Sequence, residues 1–151
     1  MKPECVICHC VTRGADTQMI DGEMYCDVCA ELAERRGYIY LASPYTHPEK
    51  EVRRLRFDIA CAAAAHLMRS GRVVFSPIAH SHPIHFHGLD GMDHGFWMRQ
   101  DGPLLDAADS VVVLMLPGWD TSAGVAWEID RAIEAGKPVE YLRPEDAGIK
   151  E

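Results

Sequence analysis

The sequence predicts a doubly wound α/β fold with a mostly parallel sheet, preceded by a small cysteine-rich module. Three observations carry this expectation. Val111, Val112, Val113, Leu114, Met115 and Leu116 form an apolar run without polar alternation, which suits a strand buried on both faces. Strand-like runs alternate with amphipathic helical patterns along most of the chain, and that alternation builds parallel sheets through right-handed crossovers. Five of the six cysteines fall within the first 29 residues, a distribution that suits a metal better than a disulfide framework. The boundary is expected near Gly37, with a zinc-binding module over 1–37 and an α/β domain over 38–151.

In the first module, Cys5-Val-Ile-Cys8 and Cys26-Asp-Val-Cys29 are two CxxC pairs with seventeen residues between them. Each pair can form a knuckle presenting two thiolates. Cys5, Cys8, Cys26 and Cys29 together would close a tetrahedral zinc shell, and Cys10 or His9 can stand in for Cys8. Gly22 to Cys26 reads as the return strand of a hairpin and Ala30 to Arg36 as a short helix, a treble-clef-like arrangement. A closed four-cysteine site has no open position for chemistry, so the zinc is expected to be structural: a staple for a segment too small to fold alone, or a docking surface.

The second module opens with the β-rich run Tyr38 to Ala42, stopped by the polar, proline-containing loop Ser43 to Pro48. Glu49 to Ser70 has helical periodicity, with Val52, Leu55, Ile59, Ala63 and Leu67 on one side, and Gly71 as the stop. Val73 to Ser76 reads as a second buried strand. Pro77 to Gly95 holds His80, His82, His85, His87 and His94 among prolines and glycines, and reads as a flexible lid. Its imidazoles can stack on and hydrogen-bond to a ligand, His82 among them, or chelate a second metal. Phe96 to Ala107 is a shorter helix with Trp97, Leu104 and Leu105 as core candidates. The central strand follows, then a helix ending at Gly136, then an edge strand over Pro138 to Leu142 and a polar tail over 143–151 that is expected to be mobile. The order is that of a Rossmann-like or flavodoxin-like sheet.

At 151 residues with 48% apolar content the chain can bury one good core. A formal charge of −8 disfavours binding a polyanion through bulk electrostatics, and there is no basic cluster around the cysteines to read DNA. No stretch resembles a signal peptide or membrane span, so a cytoplasmic protein without membrane association is expected. There is no GxGxxG after the first strand and no Walker loop. No organic cofactor is expected.

The chemistry is expected where the central strand ends. The break Pro117-Gly-Trp-Asp120 lies at the carboxyl edge of the sheet, where ligands bind in open α/β folds. Thr121 or Ser122 can cap the next helix, Gly124 lets a ligand approach its first turn, and Glu128 lies about one turn further in. Asp101 sits where the preceding helix can aim a side chain at the same edge.

Ile39-Tyr40 with the small-residue loop behind it, Asp101 eight residues before Asp109, and Asp120-Thr-Ser-Ala-Gly-Val-Ala-Trp-Glu128-Ile together resemble the nucleoside 2-deoxyribosyltransferase superfamily. With Ser76 to Pro83 they look most like its DUF1937 branch, over Tyr38 to Leu142. The resemblance implies that Glu128 is the nucleophile, that Asp101 protonates or orients the leaving base, and that Tyr40 holds the nucleophile, unless Tyr38 is the inward residue. The physical case for a carboxylate is independent of the family. Cleaving an N-glycosidic bond passes through an oxocarbenium-like state, which a carboxylate can stabilise or capture as an ester. Asp101 would need its pKa raised by burial or by Glu128.

Six residues before the glutamate, the transferases acting on free nucleosides carry aspartate, whereas this chain has Ser122. A serine there resembles the nucleoside 5'-monophosphate N-glycosidases, where it contacts phosphate, and a hydroxyl at a helix N-terminus suits an anion. Ser43 can add a second hydroxyl, Arg99 could reach the same anion, and Asp120 can replace the missing carboxylate. The expected activity is cleavage or transfer at the N-glycosidic bond of a nucleoside or 5'-nucleotide, hydrolase and transferase both open. The alternative is a non-catalytic nucleotide-sensing module with a zinc docking segment. The resemblance also implies a homo-oligomer.

Overall fold

The computed structural model describes residues 17–20, 23–26 and 37–149, in two compact units, Met1–Arg36 and Gly37–Glu151. In the first unit β1 (Thr17–Ile20) and β2 (Glu23–Cys26) form an antiparallel hairpin, with Ile20 opposite Glu23. Tyr25 is buried and its hydroxyl donates to Glu23 Oε2 at 3.0 Å. Cys26 ends β2. The remaining expected zinc ligands, Cys5, Cys8 and Cys29, their substitutes His9 and Cys10, and the expected helix over Ala30 to Arg36 lie outside the described residues.

The second unit holds a four-stranded parallel sheet flanked by helices. In chain order it comprises β3 (Ile39–Ala42), α1 (Lys50–Arg69), β4 (Val74–Phe75), α2 (Pro77–His85), α3 (His94–Ala107), β5 (Ser110–Leu114), α4 (Ala123–Glu134) and β6 (Val139–Leu142). The strand order is β4-β3-β5-β6. The chain leaves β3 for one edge and then crosses back to β5 on its other side, so the switch point lies between the carboxyl ends of β3 and β5.

Alternation along the two central strands divides the core. Ile39, Leu41, Val112 and Leu114 face Ala63, Ala64 and Leu67 of α1. Tyr40, Ala42, Val111 and Val113 face Leu105 of α3 and Val125 and Ala132 of α4. The alanines let α1 lie close to the sheet, and all four residues of β3 are buried. The start of this unit requires a glycine. Gly37 has φ 124°, and a Cβ there would fall 1.5 Å from Asp109 Oδ2.

Four sequence expectations are corrected. Val73 to Ser76 is not a fully buried strand: pairing covers only Val74–Phe75, half-buried at the sheet edge, because Ser76 leaves the ladder to cap α2. Pro77–His85 is a helix instead of a lid. Ser76 Oγ accepts from Ala79 N at 3.2 Å, and Pro77 occupies a position where its missing N–H costs nothing. Leu55 is 57% exposed instead of part of the α1 core stripe. The tail is anchored through residue 149: Pro144–Ala147 forms a 3-10 turn with Pro144 and Ala147 buried, and Ile149 packs on the α1 face. Among the described residues no helix is long and apolar enough to cross a membrane.

Candidate active site

The site grows from an irregularity in α4. Its buried positions are Val125, Glu128 and Ala132, spaced as one helical face, so a carboxylate occupies a place where the stripe calls for an apolar residue. Ser122 caps this helix, its Oγ accepting from Val125 N at 3.4 Å. Glu128 is 8% exposed. Its Oε1 accepts the Tyr40 hydroxyl at 2.7 Å, and Tyr40, from the middle of β3, is wholly buried. Tyr38 is directed elsewhere and donates to the Leu104 carbonyl.

Glu128 forms part of the wall of a cleft at the sheet's carboxyl edge, together with Ser43 from the end of β3 and Asp101 from α3. Gly102 brings α3 and α4 close: a Cβ there would sit 3.6 Å from Trp127 and 3.7 Å from Arg131. That packing holds the two carboxyl groups over one space. Burial pushes Glu128 up to about 8, opposed by the Tyr40 hydrogen bond and reinforced by the charge of Asp101. Burial likewise raises Asp101 to about 6. Tyr40 is pushed well above its usual value by burial, then by the charges of Glu128 and Asp101. A buried, unpaired carboxylate is costly, and the protein meets that cost by favouring the neutral acid.

Of the residues expected from sequence to meet substrate, Ser43, Ser122 and Gly124 line the cleft. Ser43 Oγ is buried and has no hydrogen-bond partner, so a bound ligand can satisfy it. Gly124 would tolerate a Cβ, 3.6 Å from His94 Cε1; what the glycine supplies is room. Asp120 and Arg99 are exposed and line none of the cleft. Asp120 belongs to the 3-10 turn Trp119–Thr121 before α4, which carries it outward.

His82, also expected to meet substrate, lines none of this cleft. It is buried, stacked on Phe57 at 4.2 Å and hydrogen-bonded through Nδ1 to the Tyr45 hydroxyl at 2.6 Å, and it borders a second pocket with Tyr45, His85 and Phe86. His85 and His94 line the cleft instead. Among the described residues no three His, Cys, Asp or Glu side chains converge as metal ligands. Asp93 and Asp90 accept backbone N–H groups of Phe96 at 2.9 Å and Met92 at 2.8 Å.

Sequence reasoning missed Tyr45, Trp127 and Arg56. Tyr45 and Trp127 line the cleft. Arg56 ties the loop after β3 to the loop after β5, donating to the Thr46 carbonyl at 2.8 Å and the Pro117 carbonyl at 3.0 Å. An arginine among the early charges of α1 gave no local signal of that bridge. The arrangement can hold a small polar ligand between two acids of different strength, one of them oriented by a tyrosine.

A solved structure of a 2-deoxyribosyltransferase from the psychrotolerant bacterium Bacillus psychrosaccharolyticus is similar, with TM-score 0.52 and 25% identity over 71% of this chain and 72% of that one. No curated protein sequence matches the chain. Residues 37–143 match the family described as a domain of unknown function, DUF1937. The match spans the sheet and every cleft residue named above, and the chain belongs to the DUF1937 family.

Proposed function

We propose that the second unit is an enzyme acting on the N-glycosidic bond of a nucleoside or nucleoside 5'-monophosphate. The observation that carries this is Glu128: a carboxyl on the buried face of α4, oriented by Tyr40 at 2.7 Å, and open to a cleft that Asp101 also lines. The similarity to a 2-deoxyribosyltransferase supports the same chemistry at a coarser level.

In the first step the ionised Glu128 attacks C1' of the sugar. The bond from C1' to the base nitrogen breaks, its electron pair leaves with the base, and Asp101 supplies the proton. In the second step water or another base attacks C1', the ester breaks, and Glu128 returns as carboxylate while the attacking group's proton goes to Asp101. Ser43 and Ser122 meet the 5' end, where the α4 N-terminus favours an anion.

Burial favours the neutral form of both acids, and more strongly that of Glu128, where the charge of Asp101 adds to it. The reacting arrangement needs the proton on Asp101. Positive charge developing at C1' favours ionised Glu128, so the same field that disfavours the resting carboxylate strengthens its interaction with the transition state. The test is a screen of ribo- and deoxynucleosides and their 5'-monophosphates, with chromatography for free base. Base release by the native protein and none by folded Glu128→Gln is expected; equal release by both contradicts the proposal.

A further inference from the structure

A second pocket adjoins the cleft, and Tyr45 and His85 line both. We infer that this pocket is a second nucleotide subsite, so that the substrate is a dinucleotide cut at the nucleoside held in the cleft; the inference rests on the catalytic reading above. Its surface combines two features a nucleotide needs together. One is a platform of rings: Phe86 is 69% exposed, and its ring lies 4.0 Å from that of His85 at 35°. Exposed aromatic faces of this kind stack bases with little regard to base identity.

The other feature is a rim of three cations, Lys50, Arg53 and Arg54, around one carboxylate, Glu51, on the first turns of α1, a net positive patch in a chain whose formal charge is −8. Arg53 donates to the carbonyls of His47 and Pro48 and, among the described residues, pairs with no carboxylate. Arg54 is held by Asp58 at 3.2 Å, and Lys50 lies 3.9 Å from Glu51, both in exposed pairs that an incoming phosphate can compete with. Free phosphate would leave the rings unused, and an uncharged aromatic would leave the rim unused. One loop joins the two spaces. It runs from Ser43 in the cleft, through the shared wall at Tyr45, to Lys50 at the rim. A second nucleotide attached through the 5' phosphate follows that path.

The test compares each deoxynucleoside 5'-monophosphate with two partners: the 3',5'-dinucleoside monophosphate bearing it at the 3' end, and the 5',5'-pyrophosphate. Free base is measured by chromatography, and binding to the full-length Glu128→Gln protein by calorimetry. One dinucleotide class should exceed its monophosphate about tenfold in kcat/KM, and whichever class does so identifies the linkage. Phe86→Ala and Arg53→Ala should each remove about tenfold of that advantage and leave the monophosphate within about twofold. Phe86 is on the surface, so its variant should fold normally. Equal kcat/KM for all three ligands, or variants that affect all three equally, overturns the subsite while base release keeps the catalytic reading intact. If no ligand releases base, the catalytic reading fails, and calorimetry still decides the subsite: dinucleotide binding weakened by Arg53→Ala supports it, and its absence overturns it.

Discussion

Two tyrosine pairs, one buried and one part-buried, lie near the carboxyl edge of the sheet, and their difference separates chemistry from scaffold. Tyr40 holds Glu128 at 2.7 Å, and Tyr45 shares a hydrogen bond with His82 at 2.6 Å. In both, burial opposes charge: Glu128 is raised to about 8, and His82 is lowered, chiefly by burial and then by the nearby His85 and Arg54 charges. The pairs diverge in what else they touch. His82 is stacked on Phe57 at 4.2 Å and borders the second pocket instead of the cleft, so its neutral form packs a wall away from the reacting centre. Glu128 borders open cleft beside a second acid, so its neutral form is a resting state that substrate can reverse. A buried titratable group is therefore informative only together with the space it faces.

Substitution at the two centres has the largest expected effect. Glu128→Gln should lower base release by at least about 10⁴-fold with the fold retained by circular dichroism, whereas His82→Gln should change kcat by less than about threefold and act mainly on stability. Equal losses at both positions would erase the distinction.

Asp101→Asn should lower kcat by about 10²- to 10³-fold and change the shape of the pH profile. The native profile should be a bell with limbs near 6 and 8. With Asp101 gone only Glu128 titrates, so residual activity should rise to a plateau through a limb below 8, since the Asp101 charge no longer raises it. A profile that keeps both limbs assigns the second proton elsewhere.

Tyr40→Phe should cost about ten- to a hundredfold in kcat and move the alkaline limb upward, because the lost hydrogen bond is the contribution that lowers Glu128. A downward shift would contradict the role assigned to Tyr40.

Stability should separate the pairs by sign. Glu128 binds a proton more tightly folded than unfolded, so its contribution is fully present below about 4.5 and is lost as pH rises to about 8. Glu128→Gln should therefore be more stable than native by about 3 kcal/mol at pH 7 and equal to it below pH 4.5, by denaturant titration. His82 works in reverse: its folded pKa lies below the unfolded value of 6.5, so stability is lost as pH falls below that value. His82→Gln should remove that acid-side loss.

We propose one structural zinc per chain, held by Cys5, Cys8, Cys26 and Cys29. Elemental analysis should find about one equivalent in the native protein and none in Cys26→Ser, and chelation should leave base release unchanged.

What could be read from sequence was what local chemistry determines. The unbroken Val111 to Leu114 run, the Ser122 cap and the placement of Glu128 about one turn inside α4 all follow from spacing within one element. The pairing of Tyr40 with Glu128, 88 residues apart, became an expectation only through family resemblance. The setting of His82 could not be read from histidine density in a proline-rich stretch, because its partners Tyr45 and Phe57 come from another part of the chain. The same stretch concealed α2, since its Pro77 and Ser76 are breakers by composition yet initiators at the first positions of a helix. Asp101 was placed by helical phase, but its burial depends on α3 meeting α4 at Gly102, a contact between elements.

The most direct measurement uses a nucleotide whose 2'-fluorinated sugar slows hydrolysis of a glycosyl ester, followed by mass spectrometry of the quenched protein and its peptides. One sugar adduct per chain is expected on Glu128, with an equal amount of base released and no adduct in Glu128→Gln. Stoichiometric base release with the label on another residue, or the same release by the glutamine variant, would contradict Glu128 as the nucleophile.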